Sequence, residues 1–221
     1  MFAMSEARLL ISSYNYSSWS MRGFLLCRMA GLRFTVETAS PDDPQVRAEL
    51  LSRSATIRLP CLVQGEIRVW DTLAIAEHLN EQHPQARMMP AEPLARARCR
   101  SISGEMHAGF ASLRGSLPLN IRARRPGFRL WSGPRADIEH LQSIWEDCLE
   151  AWGGPWLFGE RLSVADAMFA PVASRFLTYD VHLPGLAGAY QDRLLAWPEV
   201  AEWMEAAEAE PEAIEELEVE F

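Results

Sequence analysis

Lysine is absent from this chain of 221 residues, and all of its 21 basic side chains are arginine. This absence excludes a Schiff-base lysine from any mechanism. The four cysteines, Cys27, Cys61, Cys99 and Cys148, form no Cys-x-x-Cys pair and no spacing typical of a metal site, so we expect no metal and small buried thiols. No apolar run approaches the ~20 residues that span a bilayer, and no secretory leader begins the chain. We therefore expect a cytoplasmic protein with no membrane partner.

The acidic charge is concentrated at one end of the chain. Between Glu205 and Phe221 there are eight glutamates and no basic residue, so this tail holds almost all of the net charge of −9. The nearly neutral remainder argues against nucleic acid as a partner. The tail is either a solvated segment or a contact for a protein partner.

The first 85 residues alternate between strand and helix patterns, in the order β-α-β-α-β-β-α. The predicted strands are Arg8–Ser12, Arg33–Thr38, Leu59–Val63 and Ile67–Trp70, and the predicted helices are Ser18–Ala30, Pro44–Leu51 and Asp71–Gln82. A proline-rich break follows from His83 to Pro93 and is the best candidate for a linker.

Beyond this break the periodicity is almost entirely helical. The predicted helices are Leu94–Gly115, Pro134–Trp152, Ser163–Leu177, Leu186–Leu195 and Pro198–Ala209. We therefore predict a mixed α/β domain over residues 1–85 and an all-helical domain, ending in the acidic tail, over residues 91–221.

A serine-rich turn joins the first strand to the first helix, with the sequence Asn-Tyr-Ser-Ser-Trp-Ser over residues 15–20. Hydroxyl groups and backbone N–H groups at the start of a helix together favour an anion, and a thiolate is one such anion. The alternative is that Ser17 or Ser18 only caps the helix, as serine often does.

Three further segments complete a recognisable pattern. They are Arg58-Leu-Pro-Cys-Leu62, Trp70-Asp-Thr-Leu73 at the start of a helix, and Ser163-Val-Ala-Asp166, which has the form of a capping box. Together with the serine turn, they make the chain resemble the cytosolic glutathione transferase superfamily, and its serine-type bacterial and zeta-like members in particular. The resemblance implies a thioredoxin-like domain with a cis-proline followed by an all-α domain. It also implies a homodimer that uses reduced glutathione as co-substrate in bacterial detoxification.

The resemblance also implies a glutathione site. Ser17 is the first choice as hydrogen-bond donor to the glutathione sulfur, with Ser18, Ser20 and then Tyr16 as alternatives. The remaining glutathione contacts are assigned to Arg58, Leu59, Pro60, Asp71 and Thr72. Asp71 and Thr72 are expected to hold the γ-glutamyl end, although Asp71 is equally well explained as a helix cap.

The electrophile is expected to lie between the two domains. On one predicted helix, Met106, Phe110 and Arg114 share a face and are assigned to its pocket, with a core position as the alternative for the apolar pair. His107 is an acid/base candidate if it reaches the cleft.

Three functions remain open on the sequence. The first is conjugation of glutathione to small hydrophobic electrophiles. The second is isomerisation of a maleyl-type diacid such as maleylacetoacetate, with Arg114 or Arg122 meeting a carboxylate; the zeta-type cysteine of the turn is replaced by Trp19. The third is a non-catalytic interaction module, for example a cell-division regulator of bacteria, with the acidic tail as its contact.

Overall fold

A mixed β-sheet organises the first half of the chain in this computed structural model, which describes residues 7–39, 48, 58–211 and 218. Within these ranges the sheet has four strands in the order β2-β1-β3-β4. The strands are β1 (Ala7–Ile11), β2 (Phe34–Thr38), β3 (Cys61–Gln64) and β4 (Ile67–Trp70). β1 is parallel to β2 and antiparallel to β3, and β3 pairs with β4 across a tight turn at Gly65. The predicted strands are confirmed.

Two helices pack against this sheet. Helix α1 (Ser18–Met29) connects the parallel strands β1 and β2, and α2 (Thr72–Gln82) follows β4. Their apolar residues join Leu9 and Ile11, which are fully buried. Gly23 in α1 lies so close to Pro60 that a Cβ there would be 2.8 Å from the proline Cγ. The predicted helix Pro44–Leu51 lies, except for Ala48, outside the described residues.

The second half is helical, as predicted. Its helices are α3 (Pro93–Ala108), α4 (Ala111–Ser116), α5 (Ser132–Trp152), α6 (Val164–Thr178), α7 (Gly185–Leu195) and α8 (Pro198–Ala209). Helix α6 is central and almost wholly buried, and Trp145 of α5 meets Phe169 and Tyr190 edge to face. None of the helices in the described ranges is long and apolar enough to cross a bilayer. The domain boundaries at residues 85 and 91 stay a prediction.

The prediction of one helix over Leu94–Gly115 is wrong, because the chain breaks at Gly109 and Phe110. Gly109 has an extended backbone, and a Cβ there would be 2.8 Å from the carbonyl oxygen of Glu105. Phe110 has a φ of 55°, in the left-handed region, and α4 starts after it. The Asp137 carboxylate accepts a hydrogen bond from the Leu113 N–H at 2.8 Å, which satisfies one free amide of the new helix. The face shared by Met106, Phe110 and Arg114 therefore does not exist.

The two halves meet where α1 packs against α6. Arg22 donates from Nε to the Met168 carbonyl oxygen at 2.8 Å, and Arg175 donates from Nη2 to Ser18 Oγ at 3.0 Å. All of these groups are buried. Polar groups that are shielded from water need partners within the protein, so these bonds both satisfy the buried groups and fix the contact between α1 and α6.

Asp166 ties the start of α6 to its surroundings, as the capping-box prediction requires. Its carboxylate accepts hydrogen bonds from Ser163 N and Oγ at 2.7 Å, from Leu157 N at 3.2 Å and from Tyr190 OH at 2.7 Å. Asp166 is 0% exposed, so water cannot replace its carboxylate as the acceptor for these donors.

We predict that Asp166→Ala lowers the free energy of unfolding by about 2–4 kcal/mol, because it leaves several buried donors without an acceptor. Urea unfolding followed by circular dichroism measures the change. Asp192→Ala, at an exposed position on α7, is the matched control and is expected to change stability by less than about 0.5 kcal/mol. Equal stabilities of the two variants would contradict this role of Asp166.

Candidate active site

The serine turn presents one partly exposed serine, Ser17. Ser17 is the N-cap of α1, where its Oγ accepts a hydrogen bond from Ser20 N at 3.2 Å and donates to Ser20 Oγ at 2.8 Å. Ser18 is buried and accepts from Arg175, while Ser20 is 0% exposed. Of the serines considered from sequence, Ser17 is therefore the one that is partly exposed.

The Leu59–Pro60 peptide bond is cis, in agreement with the family resemblance. The bond lies directly before β3, opposite the start of α1, where Gly23 leaves room for the proline ring. Leu59 thus reaches the surface of the sheet beside the serine turn with its backbone in a non-helical form.

The start of α2 supplies a carboxylate and an unpaired hydroxyl. Asp71 has a φ of 72° and caps α2 by accepting a hydrogen bond from Leu73 N to Oδ1 at 2.9 Å. Thr72 is 1% exposed, and its hydroxyl has no hydrogen-bond partner among the described residues. A buried hydroxyl usually has a partner, so one without a described partner at a helix N-terminus indicates a place for a polar ligand.

These segments surround a cavity of about 310 Å³. It is lined by Trp19, Arg58, Leu59, Pro60, Asp71, Thr72 and His107. Every glutathione contact predicted after the serine turn is in this lining. Ser17 is not in the lining itself and stands two residues before Trp19. The volume is at the lower end of the range typical of small-molecule sites.

His107 brings the helical half into the site. Its Nε2 lies 3.1 Å from Asp71 Oδ2, and its ring centroid is 4.9 Å from that of Trp19. Its Nδ1 is buried and has no hydrogen-bond partner within the described ranges. His107 thus joins α3 to the start of α2 through the Asp71 carboxylate.

Trp19 is surrounded by cationic groups. The guanidinium carbons of Arg22 and Arg114 are each 4.6 Å from its ring centroid. Burial, and then the charge of Arg175, lowers the pKa of Arg22, and burial lowers the pKa of Arg114. Burial lowers the pKa of Arg175 to about 10. No carboxylate of a described residue pairs with any of these arginines, so the region beside the turn has a positive potential.

The other residues assigned to an electrophile pocket lie elsewhere. Met106 is 0% and Phe110 6% exposed, and both belong to the hydrophobic core. Arg114 lies against Trp19 and donates from Nη1 to the His107 carbonyl oxygen at 3.2 Å. Sequence reasoning missed Trp19 as a lining residue. It also missed Arg22 beside Trp19 and Arg175 beside Ser18, because a single arginine in a helix pattern carries no sign of burial. His107 had a signal, its place on the first helix after the linker.

Solved structures with a similar fold define the class to which this fold belongs. A glutathione transferase homolog from Burkholderia, solved with bound glutathione, has a TM-score of 0.70 at 22% identity, covering 93% of this chain and 100% of that one. A maleylacetoacetate isomerase from Anaeromyxobacter dehalogenans, solved with dicarboxyethyl glutathione and citrate in its active site, has a TM-score of 0.64 at 19% identity, covering 97% and 96%. The fold is therefore a thioredoxin-like domain followed by an all-α domain.

Sequence comparison then places the chain within that class. The family model for the glutathione S-transferase N-terminal domain matches residues 11–87, and that for the C-terminal domain matches residues 136–206. The chain belongs to the glutathione S-transferase family, and the expectation of a glutathione-dependent enzyme is confirmed. It is 25% identical over 177 residues to a probable maleylacetoacetate isomerase of Caenorhabditis elegans, covering 78% of this chain and 82% of that protein. It is 24% identical over 183 residues to the maleylacetoacetate isomerase of Rattus norvegicus, covering 81% and 83%.

The cysteines take no part in the site. Cys27, Cys61, Cys99 and Cys148 are all free and buried. Burial raises the pKa of each of these thiols, that of Cys99 to about 11. The thiolate is the reactive form of cysteine, so none of these residues is a nucleophile near neutral pH.

We predict that the native protein does not react with a chromogenic disulfide reagent at pH 7.5 over several minutes, whereas all four thiols react after unfolding in guanidinium chloride. Absorbance of the released thiolate measures both. A thiol that reacts within seconds in the native protein would contradict the buried placement.

Proposed function

We propose that this protein is a glutathione transferase that binds reduced glutathione in the 310 Å³ cavity and adds its sulfur to small hydrophobic electrophiles. The observation that carries the proposal is the buried hydroxyl of Thr72, which has no hydrogen-bond partner among the described residues and lies at the N-terminus of α2, beside Asp71 and the cis-proline. A carboxylate such as that of the γ-glutamyl group suits this hydroxyl and the first backbone amides of the helix.

The other lining residues suit the rest of the tripeptide. The Asp71 carboxylate suits the γ-glutamyl ammonium, which would approach Oδ2 beside His107 Nε2, 3.1 Å from that oxygen. The backbone of Leu59, before the cis-proline, is suited to pair with the cysteinyl unit. Arg58 is exposed at the rim and suits the glycyl carboxylate.

Ser17 is proposed to activate the thiol. Its hydroxyl, which donates to Ser20 Oγ in this structure, would instead donate to the glutathione sulfur and stabilise the thiolate. The free thiol has a pKa of about 8.5, and the donor and the nearby arginines lower it. The thiolate then forms a bond to the electrophilic carbon, and the leaving group departs with the electron pair of the bond that breaks; in an addition, the new carbanion takes a proton from solvent.

Isothermal titration calorimetry with reduced glutathione, combined with conjugation kinetics, tests this proposal. We expect Thr72→Ala to raise the dissociation constant about tenfold, because it removes a hydrogen bond to a charged group. We expect Ser17→Ala to lower kcat about 10- to 100-fold while the dissociation constant changes little.

Ser101→Ala is the matched control, since this exposed serine of α3 donates only to the Ala97 carbonyl oxygen among its described contacts. Absence of binding at millimolar glutathione would remove the proposal and favour the non-catalytic interaction module. Full conjugating activity in Ser17→Ala would remove Ser17 from its role.

A second candidate, glutathione-dependent isomerisation of maleylacetoacetate, has support from the names of the relatives and from Arg114. Arg114 lies against Trp19, which lines the cavity, and pairs with no carboxylate of a described residue. Arg122 is less suitable for a substrate carboxylate, because it donates to the Glu210 carbonyl oxygen at 2.6 Å and to Tyr16 OH at 3.1 Å.

Arg114→Gln distinguishes the two candidates. If the diacid is the substrate, we expect kcat/KM for it to fall about 10- to 100-fold through loss of a charge-assisted hydrogen bond. Conjugation of an uncharged aromatic electrophile is expected to fall much less, because it loses only the effect of one nearby charge on the thiolate. Arg135→Gln, on the exposed start of α5, is the control. A wild-type protein that conjugates well but does not turn over the diacid would exclude the isomerase.

The homodimer is proposed from family membership. The exposed apolar side chains Ile67 and Trp70 on the edge strand β4 are in keeping with it, and sedimentation velocity would show a monomer if the proposal is wrong. Location in the bacterial cytoplasm and a role in detoxification stay predictions, for which cell fractionation and the sensitivity of a deletion strain to electrophiles are the tests.

A further inference from the structure

The turn between β1 and α1, residues 12–17, is held by a carboxylate from the other end of the chain. Glu210, the residue that ends α8, accepts hydrogen bonds from Ser13 Oγ at 2.8 Å, Tyr14 N at 2.9 Å and Asn15 N at 2.9 Å. Two backbone N–H groups and a hydroxyl thus converge on one side chain about 195 positions away. Hydrogen bonds to an ionised acceptor are roughly twice as strong as neutral ones.

These bonds continue to the residue before Ser17. The Ser13 hydroxyl, which donates to Glu210, also accepts a hydrogen bond from Tyr16 N at 3.1 Å. The turn has no regular strand or helix pairing of its own here, so the Glu210 carboxylate takes the place of the acceptor that secondary structure would supply. The conformation that leads into Ser17 therefore depends on Glu210.

Neighbouring contacts hold Glu210 and the turn together. Arg122 donates from Nη1 to the Glu210 carbonyl oxygen at 2.6 Å, and Trp203 of α8 donates from Nε1 to the Tyr14 carbonyl oxygen at 2.9 Å. Further along the tail, Glu218 accepts from Tyr16 OH, and from Asn120 Nδ2 at 3.1 Å. The described part of the acidic tail thus lies against the active-site turn.

We propose that Glu210 is a positioning residue for the thiol-activating hydroxyl of Ser17. Its carboxylate fixes residues 13–16, and this fixes the direction in which Ser17, the first residue after them, presents its hydroxyl to the glutathione sulfur. The proposal rests on the function proposed above. Glu210 makes no contact with glutathione in this proposal, so it affects the chemical step and not the binding of glutathione.

The experiment compares Glu210→Gln and Glu210→Ala with Glu208→Gln. Glu208 is exposed on the same helix, and its side chain has no hydrogen bond or ion pair with a described residue, so its variant matches the change of charge without touching the turn. Glutamine keeps one acceptor oxygen and loses the charge, and alanine loses every acceptor. Glutathione affinity, kcat, the pH profile of kcat/KM and amide hydrogen exchange of residues 13–16 are measured at 20 °C on protein shown to be folded.

We expect kcat to fall about tenfold in Glu210→Gln and about 10- to 100-fold in Glu210→Ala, with less than threefold change in the glutathione dissociation constant. The pH at which the rate rises is expected to move upward by up to about one unit, because a poorly aimed Ser17 stabilises the thiolate less. Amide exchange at residues 14–16 is expected to accelerate at least tenfold. Glu208→Gln is expected to behave as wild type.

Unchanged amide exchange in Glu210→Ala would overturn the proposal at its first step. Accelerated exchange with an unchanged kcat and pH profile would overturn it at the second, and would reduce Glu210 to a structural contact. If wild-type protein does not bind glutathione at all, the proposed function fails, and the role of Glu210 in the chemical step fails with it. The exchange measurement needs no ligand, so it still shows whether Glu210 holds the turn.

Discussion

The turn from β1 into α1 is held in place by residues of the helical half of the chain, and the candidate site depends on this constraint. Asn15 is fully buried; it donates from Nδ2 to Asn120 Oδ1 at 3.0 Å and accepts at Oδ1 from Arg122 N at 3.0 Å. One residue of the turn thus pairs with the chain beyond α4, and Glu210 binds the same turn from the end of α8. Without the helical half, the turn would have to replace these partners with water.

The same interface sets the electrostatics of the site. Two arginines, Arg22 and Arg175, are almost fully buried where α1 meets α6, and each has a guanidinium nitrogen without a hydrogen-bond partner among the described residues. Buried cations are costly unless they are paired, so an anion that binds beside the start of α1 would be strongly favoured by these two charges. The positive end of the α1 dipole acts in the same direction. A thiolate held by Ser17 would lie close to both.

Prediction from sequence succeeded where the signals are local. The strands, the tight turn at Gly65, the cap at Ser163 and Asp166, and the start of α2 at Asp71 all depend on residues within a few positions of each other. The single helix across Gly109 failed for a physical reason: helical periodicity continues through a break whose cause is the close approach of the Glu105 carbonyl oxygen and the capture of Leu113 N by Asp137. With that break, Met106 and Phe110 became core residues, and Arg114 turned toward Trp19.

The sequence by itself determined the order of the elements, because strand, turn and cap preferences act between neighbours, and its lack of lysine excluded Schiff-base chemistry. Through the family resemblance, it also pointed to Arg58 to Pro60, Asp71 and Thr72, which line the cavity. Only the tertiary structure decided that His107 reaches Asp71, that Trp19 is enclosed by arginines, and that Glu210 holds the turn before Ser17. These contacts join residues up to 197 positions apart. They arise from the packing of α1 against α6 and α8, and no local preference of the residues concerned specifies that packing.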